Sequence, residues 1–303
     1  MTEEIQEFIS YLHDNRKSSA NTEVSYRRDL RKAAEYFERQ DITRVEQITQ
    51  TNIRSYLLFM EKQKFATATI SRSVASLHAF FQYMVKMKRI EQDPSEELRP
   101  PKVEKKEPEI LSVAEIEKLM GQPNMETAKG VRDRAMMELL YATGIRVSEL
   151  THLLTGDVNL QLGYIVCRDK EKERVIPFGD EAREVMQQYL GKERMRLVGE
   201  KTCPYLFTNC AGKPMSRHGF WKVLKGYAQD AGIRTDITPH TLRHSFAAHL
   251  IQNGADVKAV QEMMGHADIS TTQMYVHMNI NRIRSAYENA HPRSRATVGG
   301  RRE

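Results

Sequence analysis

A segment dense in proline and charge divides this chain into two parts. Residues 99–108 contain three prolines and six charged residues. Proline blocks helix continuation, and a dense run of charges opposes burial, so this segment is interpreted as a linker. Because domains usually contain roughly 100–200 residues, the 303-residue chain is predicted to form two domains, 1–107 and 108–303, with the boundary near residue 107.

The first domain is predicted to be all-helical. Apolar residues recur in it at the spacing that places them on one face of a helix. The stripes are Tyr26, Leu30, Ala33 and Phe37, then Ile53, Tyr56, Leu57 and Met60, then Val74, Leu77, Phe80, Phe81 and Met84. We interpret these stripes as core and assign them no chemistry.

The second domain is predicted to be mainly helical with a small antiparallel β-sheet. Ser112 and Glu115 have the spacing of a capping box at a helix start. Residues 164–167 and 174–178 favour strands on either side of a charged tip, which predicts an exposed hairpin. Residues 205–208 are a further candidate strand. Helical patterns dominate the rest of this domain.

Positive charge is concentrated in one part of the first domain. The chain has a net charge of +6, and basic proteins attract polyanions such as nucleic acids. Between residues 62 and 89 no residue is acidic, and interleaved hydroxyls can donate to phosphate oxygens. Two interpretations stay open, a solvated helix face or a DNA-binding surface. The latter would be formed by Lys62, Lys64, Arg72, Lys86 and Lys88.

Composition disfavours secreted and membrane proteins. The first twenty residues carry charge throughout and lack the apolar core of a secretory signal. No run approaches the roughly 18 apolar residues that a membrane span needs. Cys167, Cys203 and Cys210 lack the close spacing of a zinc ribbon or redox motif, so we expect reduced thiols. The predicted location is the cytoplasm, with no membrane association.

Two segments near the carboxyl end carry most of the chemically active side chains. Residues 238–249 read Thr-Pro-His-Thr-Leu-Arg-His-Ser-Phe-Ala-Ala-His, and residues 264–275 read Met-Gly-His-Ala-Asp-Ile-Ser-Thr-Thr-Gln-Met-Tyr. The opening Thr-Pro has the order of an N-cap and first helical residue. His240 and Arg243 therefore share one helix face and can converge on one anion. The helix start itself favours anions.

These motifs resemble the carboxyl-terminal signature of the tyrosine recombinases, also called the phage integrase family. Residues 142–150, Ala-Thr-Gly-Ile-Arg-Val-Ser-Glu-Leu, are similar to the family segment with the first catalytic arginine. Length, the helical first domain and residues 290–293 look most like bacterial Xer recombinases, especially the XerD-like branch. The resemblance spans nearly the whole chain. It implies the catalytic residues Arg146, Lys170, His240, Arg243, His266 and Tyr275.

The resemblance implies DNA cleavage and rejoining without a metal or another cofactor. Tyr275 would be the nucleophile, forming a 3′-phosphotyrosyl bond and leaving a free 5′-hydroxyl. Arg146 and Arg243 suit the charge that builds on the non-bridging oxygens, because a guanidinium forms bidentate hydrogen bonds. His240 is favoured as the base and His266 as a phosphate contact.

The lysine that would protonate the departing 5′-oxygen is ambiguous. The family commonly shows Gly-Lys-Gly-Asn-Lys-Glu-Arg, whereas residues 169–174 read Asp-Lys-Glu-Lys-Glu-Arg and are one residue shorter. Counting forward from the first arginine selects Lys170, and counting backward from the second strand lands on Asp169. Lys172 therefore competes, but Lys170 is favoured.

Some of these residues allow other interpretations. Zinc binding by His240, His244 and His249 is disfavoured because no acidic partner stands in a His-Glu-x-x-His arrangement. Glu149 either orients Arg146 or forms an ordinary ion pair on a helix face. The rival functions are a phage or transposon integrase with the same chemistry, a metal-dependent nuclease, and a DNA-binding protein without catalysis.

The resemblance also implies partners. Duplex DNA would be held between the two domains, and four protomers would bring two recombination sites together. An apolar stripe within residues 282–290 would dock into the neighbouring protomer of a cyclic assembly. Chromosome dimer resolution is the implied process, with a second Xer-type recombinase and a DNA translocase as further partners.

Overall fold

Two units with separate cores make up the structure. It is a computed structural model that describes residues 1–15, 18–102, 109–169, 172–199, 202–265, 284 and 287–292, with Asp169 and Lys172 described by their backbone alone. The units are Met1–Lys106 and Glu107–Glu303. Each has its own cluster of buried apolar side chains, as expected for independent domains.

The described part of the first unit is helical. Its elements are α1 (Thr2–Asp14), α2 (Ala20–Glu38), a 3-10 turn (Val45–Gln47), α3 (Gln50–Lys62) and α4 (Thr67–Lys86). Side-chain caps help to define the starts, as where the Ser19 hydroxyl accepts from the backbone N–H of Thr22. Most residues of the predicted apolar stripes are buried in its core. Aromatic packing contributes, with the ring centroids of Phe8 and Phe80 5.6 Å apart in an edge-on arrangement.

The second unit combines helices with one small sheet. Its helices are α5 (Val113–Met120), α6 (Ala128–Thr143), α7 (Val147–His152), α8 (Asp180–Gln188), α9 (Arg194–Val198), α10 (Arg217–Asp230), α11 (Pro239–Gln252) and α12 (Val257–Met264). Short non-α turns occupy Thr155–Asp157 and Tyr189–Glu193. Residues 287–290 are also helical.

The sheet is built around the predicted hairpin. Strands β1 (Val158–Asn159), β2 (Tyr164–Asp169) and β3 (Lys172–Pro177) are antiparallel in the order β1-β2-β3. Ile165 pairs with Ile176 and Cys167 with Arg174. The predicted strand at 205–208 forms isolated bridges only. Prolines at 204 and 214 limit that ladder, because proline cannot donate a backbone hydrogen bond.

Helix α6 lies at the centre of the second core. Every residue from 130 to 143 except Arg134 is buried, as expected for a helix that other elements cover on all sides. Its buried charges are paired, since Arg132 Nη2 lies 2.6 Å from Asp133 Oδ1 and the Tyr227 hydroxyl donates to Asp133 Oδ2 at 3.0 Å. Because α6 is packed on nearly all sides, the position of the turn that follows it is fixed.

The predicted fold class is confirmed. A helical amino-terminal domain is followed by a mainly helical domain with a small antiparallel sheet. The Ser112–Glu115 capping box is present, with the Ser112 hydroxyl accepting from the Glu115 N–H at 3.3 Å. Thr238 caps α11 ahead of Pro239, as the sequence predicts.

Gly144 ends α6 and turns the chain toward α7. Its φ of 60° lies in the left-handed region that favours glycine. A Cβ at this position would lie 2.2 Å from Cδ1 of the buried Phe246 ring. The turn therefore needs glycine for both its backbone conformation and its close approach to α11.

We predict that Gly144→Ala destabilises the second unit by about 3 kcal/mol, from left-handed strain together with overpacking against Phe246. Thermal unfolding followed by circular dichroism should show a melting temperature lower by roughly 6–12 °C. Gly226→Ala is the control, because no atom outside the backbone of its own helix and its chain neighbours lies within 4 Å of its Cβ position in α10. Equal melting temperatures for parent and Gly144→Ala would contradict the packing described.

Candidate active site

Arg146 stands at the junction of α6 and α7. It is the N-cap of α7, two residues after the turn at Gly144. Its backbone N–H donates to Glu149 Oε2 at 2.6 Å, and its Nη1 donates to Glu149 Oε1 at 3.3 Å. Nη2 donates to the Gly265 carbonyl at 2.7 Å. The side chain is 35% exposed, so it is accessible from outside the core.

Helix α11 carries His240 and Arg243 in its first turns. Arg243 is buried and donates from Nη1 to the Gly144 carbonyl at 2.6 Å and from Nη2 to the Met264 carbonyl at 2.5 Å. His240 is exposed, with its ring centroid 6.4 Å from that of His244. The first turn of α11 thus presents an imidazole to solvent one turn before a buried guanidinium.

Burial and neighbouring cations lower the pKa of Arg243. Desolvation, followed by the nearby Arg146 guanidinium, lowers the pKa of Arg243 to about 10. Arg174 lowers it further in the same direction, whereas Glu149 raises it. The guanidinium stays protonated at neutral pH, in an environment where an additional negative charge would be stabilising.

Three arginines meet at the carboxyl end of α12. The carbonyls of Met263, Met264 and Gly265 accept from Arg174 Nε at 3.2 Å, Arg243 Nη2 at 2.5 Å and Arg146 Nη2 at 2.7 Å. The last carbonyls of a helix have no partner within the helix and carry the negative end of its dipole. The end of α12 therefore holds guanidiniums from three separate elements in one place.

A single carboxylate belongs to this cluster among the described residues. Arg174 Nη2 donates to both oxygens of Glu149, each at 2.8 Å, and Glu149 also accepts from Arg146. The Glu149 side chain is 10% exposed and that of Arg174 is 19% exposed. Three guanidiniums beside one carboxylate leave an excess of positive charge, which is suited to binding an anion.

The structure brings together part of the predicted catalytic set. Arg146 and Arg243 both donate to the end of α12, and His240 lies one turn before Arg243. The other predicted residues, Lys170, His266 and Tyr275, lie outside the described residues. His266 directly follows Gly265 in the sequence. For the competing Lys172, the backbone pairs with Asp169 at the end of the hairpin.

Arg174 is the member of this cluster that the sequence reasoning missed. It is the last residue of the hairpin motif 169–174, and the sequence assigned it no role. A signal was present, because strand alternation places position 174 on the same face as Ile176, which is fully buried. An arginine on the buried face of a strand needs a charged or carbonyl partner. The partners themselves, Glu149 and Met263, are too far along the chain to be read from the sequence.

The predicted DNA-binding residues of the first unit differ in their contacts. Arg72 forms a bidentate pair with the buried Asp29, at 2.6 Å from Nε to Oδ2 and 2.9 Å from Nη2 to Oδ1. Lys86 donates to the Tyr11 hydroxyl at 2.9 Å. Exposed lysines complete the set: Lys62, Lys64 and Lys88. The Arg72 guanidinium therefore forms its bidentate contact with a residue of the same domain.

His249, one of the three histidines considered as zinc ligands, lies in the core. It is buried, and its Nδ1 lies 2.8 Å from the Tyr141 hydroxyl. Desolvation lowers the pKa of His249, against an opposing hydrogen bond with the Leu111 backbone. Within the described ranges no cluster of three His, Cys, Asp or Glu is placed to hold a metal ion. In the same part of the chain no helix is long and apolar enough to cross a membrane.

Comparison with known proteins gives consistent family matches. Residues 109–282 match the phage integrase family, and residues 5–88 match the N-terminal SAM-like domain of phage integrases. The tyrosine recombinase XerD of Oceanobacillus iheyensis is 43% identical over 293 residues, covering 96% of this chain and 98% of that protein. The XerD of Listeria innocua is 40% identical over 297 residues, covering 97% and 100%.

Solved structures share the fold. XerH site-specific recombinase bound to its difH substrate superposes with a TM-score of 0.68 at 22% identity, over 94% of this chain and 82% of that one. A lambda integrase dimer bound to a core site gives a TM-score of 0.70 at 17% identity, over 90% and 99%. The likeness extends over both domain matches.

The chain belongs to the phage integrase family, the family of the tyrosine recombinases. It is a site-specific DNA recombinase, and its curated relatives place it with the Xer-type members of the family.

Proposed function

We propose that this recombinase cleaves and rejoins duplex DNA through a 3′-phosphotyrosyl intermediate on Tyr275, in the resolution of chromosome dimers. The observation that supports it most is the meeting of Arg146, Arg174 and Arg243 at the end of α12, one residue before His266. A phosphodiester is the anion that such a cluster suits in a DNA-processing enzyme.

In the proposed reaction the guanidiniums of Arg146 and Arg243 bind the non-bridging oxygens of the scissile phosphate. Charge grows on these oxygens as the phosphate is attacked, and donors fixed in advance stabilise it without reorganising. Their contacts to backbone carbonyls supply that fixation. Because phosphoryl transfer depends mainly on positioning and electrostatics, the proposal needs no metal and no ATP.

The proton transfers are assigned to flanking residues. The Tyr275 oxygen bonds to phosphorus and its proton passes to His240, while the bond from phosphorus to the 5′-oxygen breaks. The 5′-oxygen takes a proton from a hairpin lysine, for which we favour Lys170 over Lys172. His266 donates a hydrogen bond to the phosphate. Reversal of the same steps reseals the strand, because the phosphotyrosyl ester conserves the phosphodiester linkage.

The process and partners are inferred from relatives. Two XerD proteins align with over 95% of this chain at 40% identity or more, which favours an Xer role over that of a phage or transposon integrase. Solved neighbours are complexes with a DNA site, one of them a dimer. We propose duplex DNA as the partner, four protomers on two sites, a second Xer-type recombinase and a DNA translocase as auxiliaries, and the cytoplasm as location.

Phosphate contacts in the first unit are assigned to exposed cations. Lys62, Lys64, Lys86 and Lys88 lie on its surface, and charges there attract the DNA backbone. The fork of Arg72 is held by Asp29, so its contribution is to the structure of the domain.

The central prediction concerns a covalent adduct. Incubated with a nicked suicide substrate, the protein is expected to form a DNA adduct that survives denaturant, because the released fragment diffuses away and resealing is prevented. Tyr275→Phe should form none, whereas Tyr205→Phe should match the parent. EDTA should leave the yield unchanged. Cleavage without an adduct, or abolished by EDTA, would instead indicate a metal-dependent nuclease.

A second prediction separates the two hairpin lysines. Lys170→Ala should slow adduct formation by about 10²–10⁴-fold, the usual contribution of a general acid. A substrate with sulfur in place of the bridging 5′-oxygen should restore nearly the parent rate, because a thiolate leaves without a proton. Lys172→Ala should show neither effect. The reverse pattern, with rescue confined to Lys172→Ala, would transfer the role to Lys172.

A third prediction separates binding from folding in the first unit. Lys64→Ala should weaken DNA binding at all sequences and reduce the slope of log affinity against log salt by about one, with no change in melting temperature. Arg72→Gln should destabilise the unit by about 1–3 kcal/mol, because it leaves the buried Asp29 carboxylate without its cationic partner. An Arg72→Gln protein of parental stability that binds DNA weakly would make Arg72 a DNA contact.

A further inference from the structure

Glu149 receives hydrogen bonds from two arginines, and the two contacts are unequal. Arg174 Nη2 donates to both Glu149 oxygens at 2.8 Å. The Arg146 side chain reaches one of these oxygens at 3.3 Å, outside the usual range for a charge-assisted hydrogen bond. The backbone N–H of Arg146 donates to the other oxygen at 2.6 Å. The closest donors to this carboxylate are therefore Arg174 and the main chain.

Sequence spacing alone would lead to a different arrangement. An arginine and a glutamate three residues apart at a helix start can reach each other directly, and guanidinium and carboxylate favour a close two-point contact. Such a contact would direct Arg146 toward Glu149 and largely cancel its charge. In the structure Arg146 instead directs Nη2 to the Gly265 carbonyl. Arg174 already contacts both carboxylate oxygens of Glu149, which a two-point contact from Arg146 would need.

Arg174 is itself firmly held. It lies in β3 opposite Cys167, and its Nε donates to the Met263 carbonyl at 3.2 Å. Gly265 packs directly against it, because a Cβ on Gly265 would lie 2.5 Å from Arg174 Nη1. These contacts fix the guanidinium between β3, α7 and the end of α12. An arginine held in this way can compete with Arg146 for the same carboxylate.

We propose that Arg174 is a positioning residue that limits the Arg146 guanidinium to one long contact with Glu149, in place of a close two-point pair, and so leaves it available to the scissile phosphate. The proposal rests on the proposed function, in which Arg146 stabilises the charge on that phosphate. Glu149 supplies the negative charge that a cluster of three guanidiniums requires. Arg174 forms the close contact with this carboxylate. Without Arg174, Arg146 pairs with Glu149 and loses much of its effect on the transition state.

The test is a double-mutant cycle on adduct formation with the full chain and a nicked substrate at saturating concentration. Arg174→Gln is expected to slow the first-order rate by about 10²-fold, the scale for losing one transition-state donor. Glu149→Gln in the same background is expected to restore the rate at least tenfold, because it removes the competing charge. A purely structural role for Arg174 predicts the opposite, a double variant as slow as Arg174→Gln or slower.

A matched control lies elsewhere in the second unit. Arg196 Nη1 donates to both oxygens of Glu193 at 2.9 and 3.0 Å, and Glu193 is as little exposed as Glu149, at 10%. Arg196→Gln, alone and with Glu193→Gln, is expected to leave the adduct rate within a factor of two or so of the parent. The Arg196–Glu193 pair has the same kind of contact as the Arg174–Glu149 pair but does not belong to the arginine cluster.

The outcomes separate this proposal from the proposed function. A parent protein that forms no adduct, or an adduct that persists in Tyr275→Phe, overturns both. A parent that forms adducts, with no recovery on adding Glu149→Gln, overturns the role of Arg174 alone. If Arg174→Gln shows no cooperative thermal transition, Arg174→Lys replaces it. A lysine contacts Glu149 as a point charge and competes less well, so the same recovery by Glu149→Gln is expected, and its absence is equally decisive.

Discussion

The carboxyl end of α12 is the point on which the described site depends. Three consecutive carbonyls there each accept a hydrogen bond from a different arginine, and these arginines come from α11, β3 and the start of α7. Backbone carbonyls are good partners for this purpose because they orient a guanidinium without cancelling its charge. A carboxylate in the same places would neutralise the cluster. The arginines are thus brought together and remain cationic.

Gathering like charges has a cost that the rest of the unit must offset. Arg243 is buried next to Arg146, and burial with that neighbour lowers its pKa to about 10. The offset comes from the rigid packing around it, in which α6 is buried on nearly every side and Gly144 allows α11 to approach closely. Under the proposed function, a bound phosphate would relieve this repulsion, and the cost of gathering the cations in the free protein would then favour binding.

How much the sequence could predict depended on how far apart the interacting residues are. The capping box at Ser112 and the start of α11 were predicted correctly because each is set by neighbours within a few residues. The role of Arg72 in the domain was not predicted, since its partner Asp29 is 43 residues away. Arg174 was missed for the same reason, with partners 25 and 89 residues away.

Glu149 shows why such distant contacts matter for chemistry. From the sequence it could be either a guide for Arg146 or a simple ion pair, and both ideas treat the two residues as a pair. The structure adds a third member, because Arg174 forms the closer contact with the carboxylate. An anion site needs some negative charge to hold its cations together, yet that charge competes with the substrate. Placing the carboxylate against the arginine from β3 satisfies the first requirement, while the Arg146 side chain keeps a single contact with it at 3.3 Å.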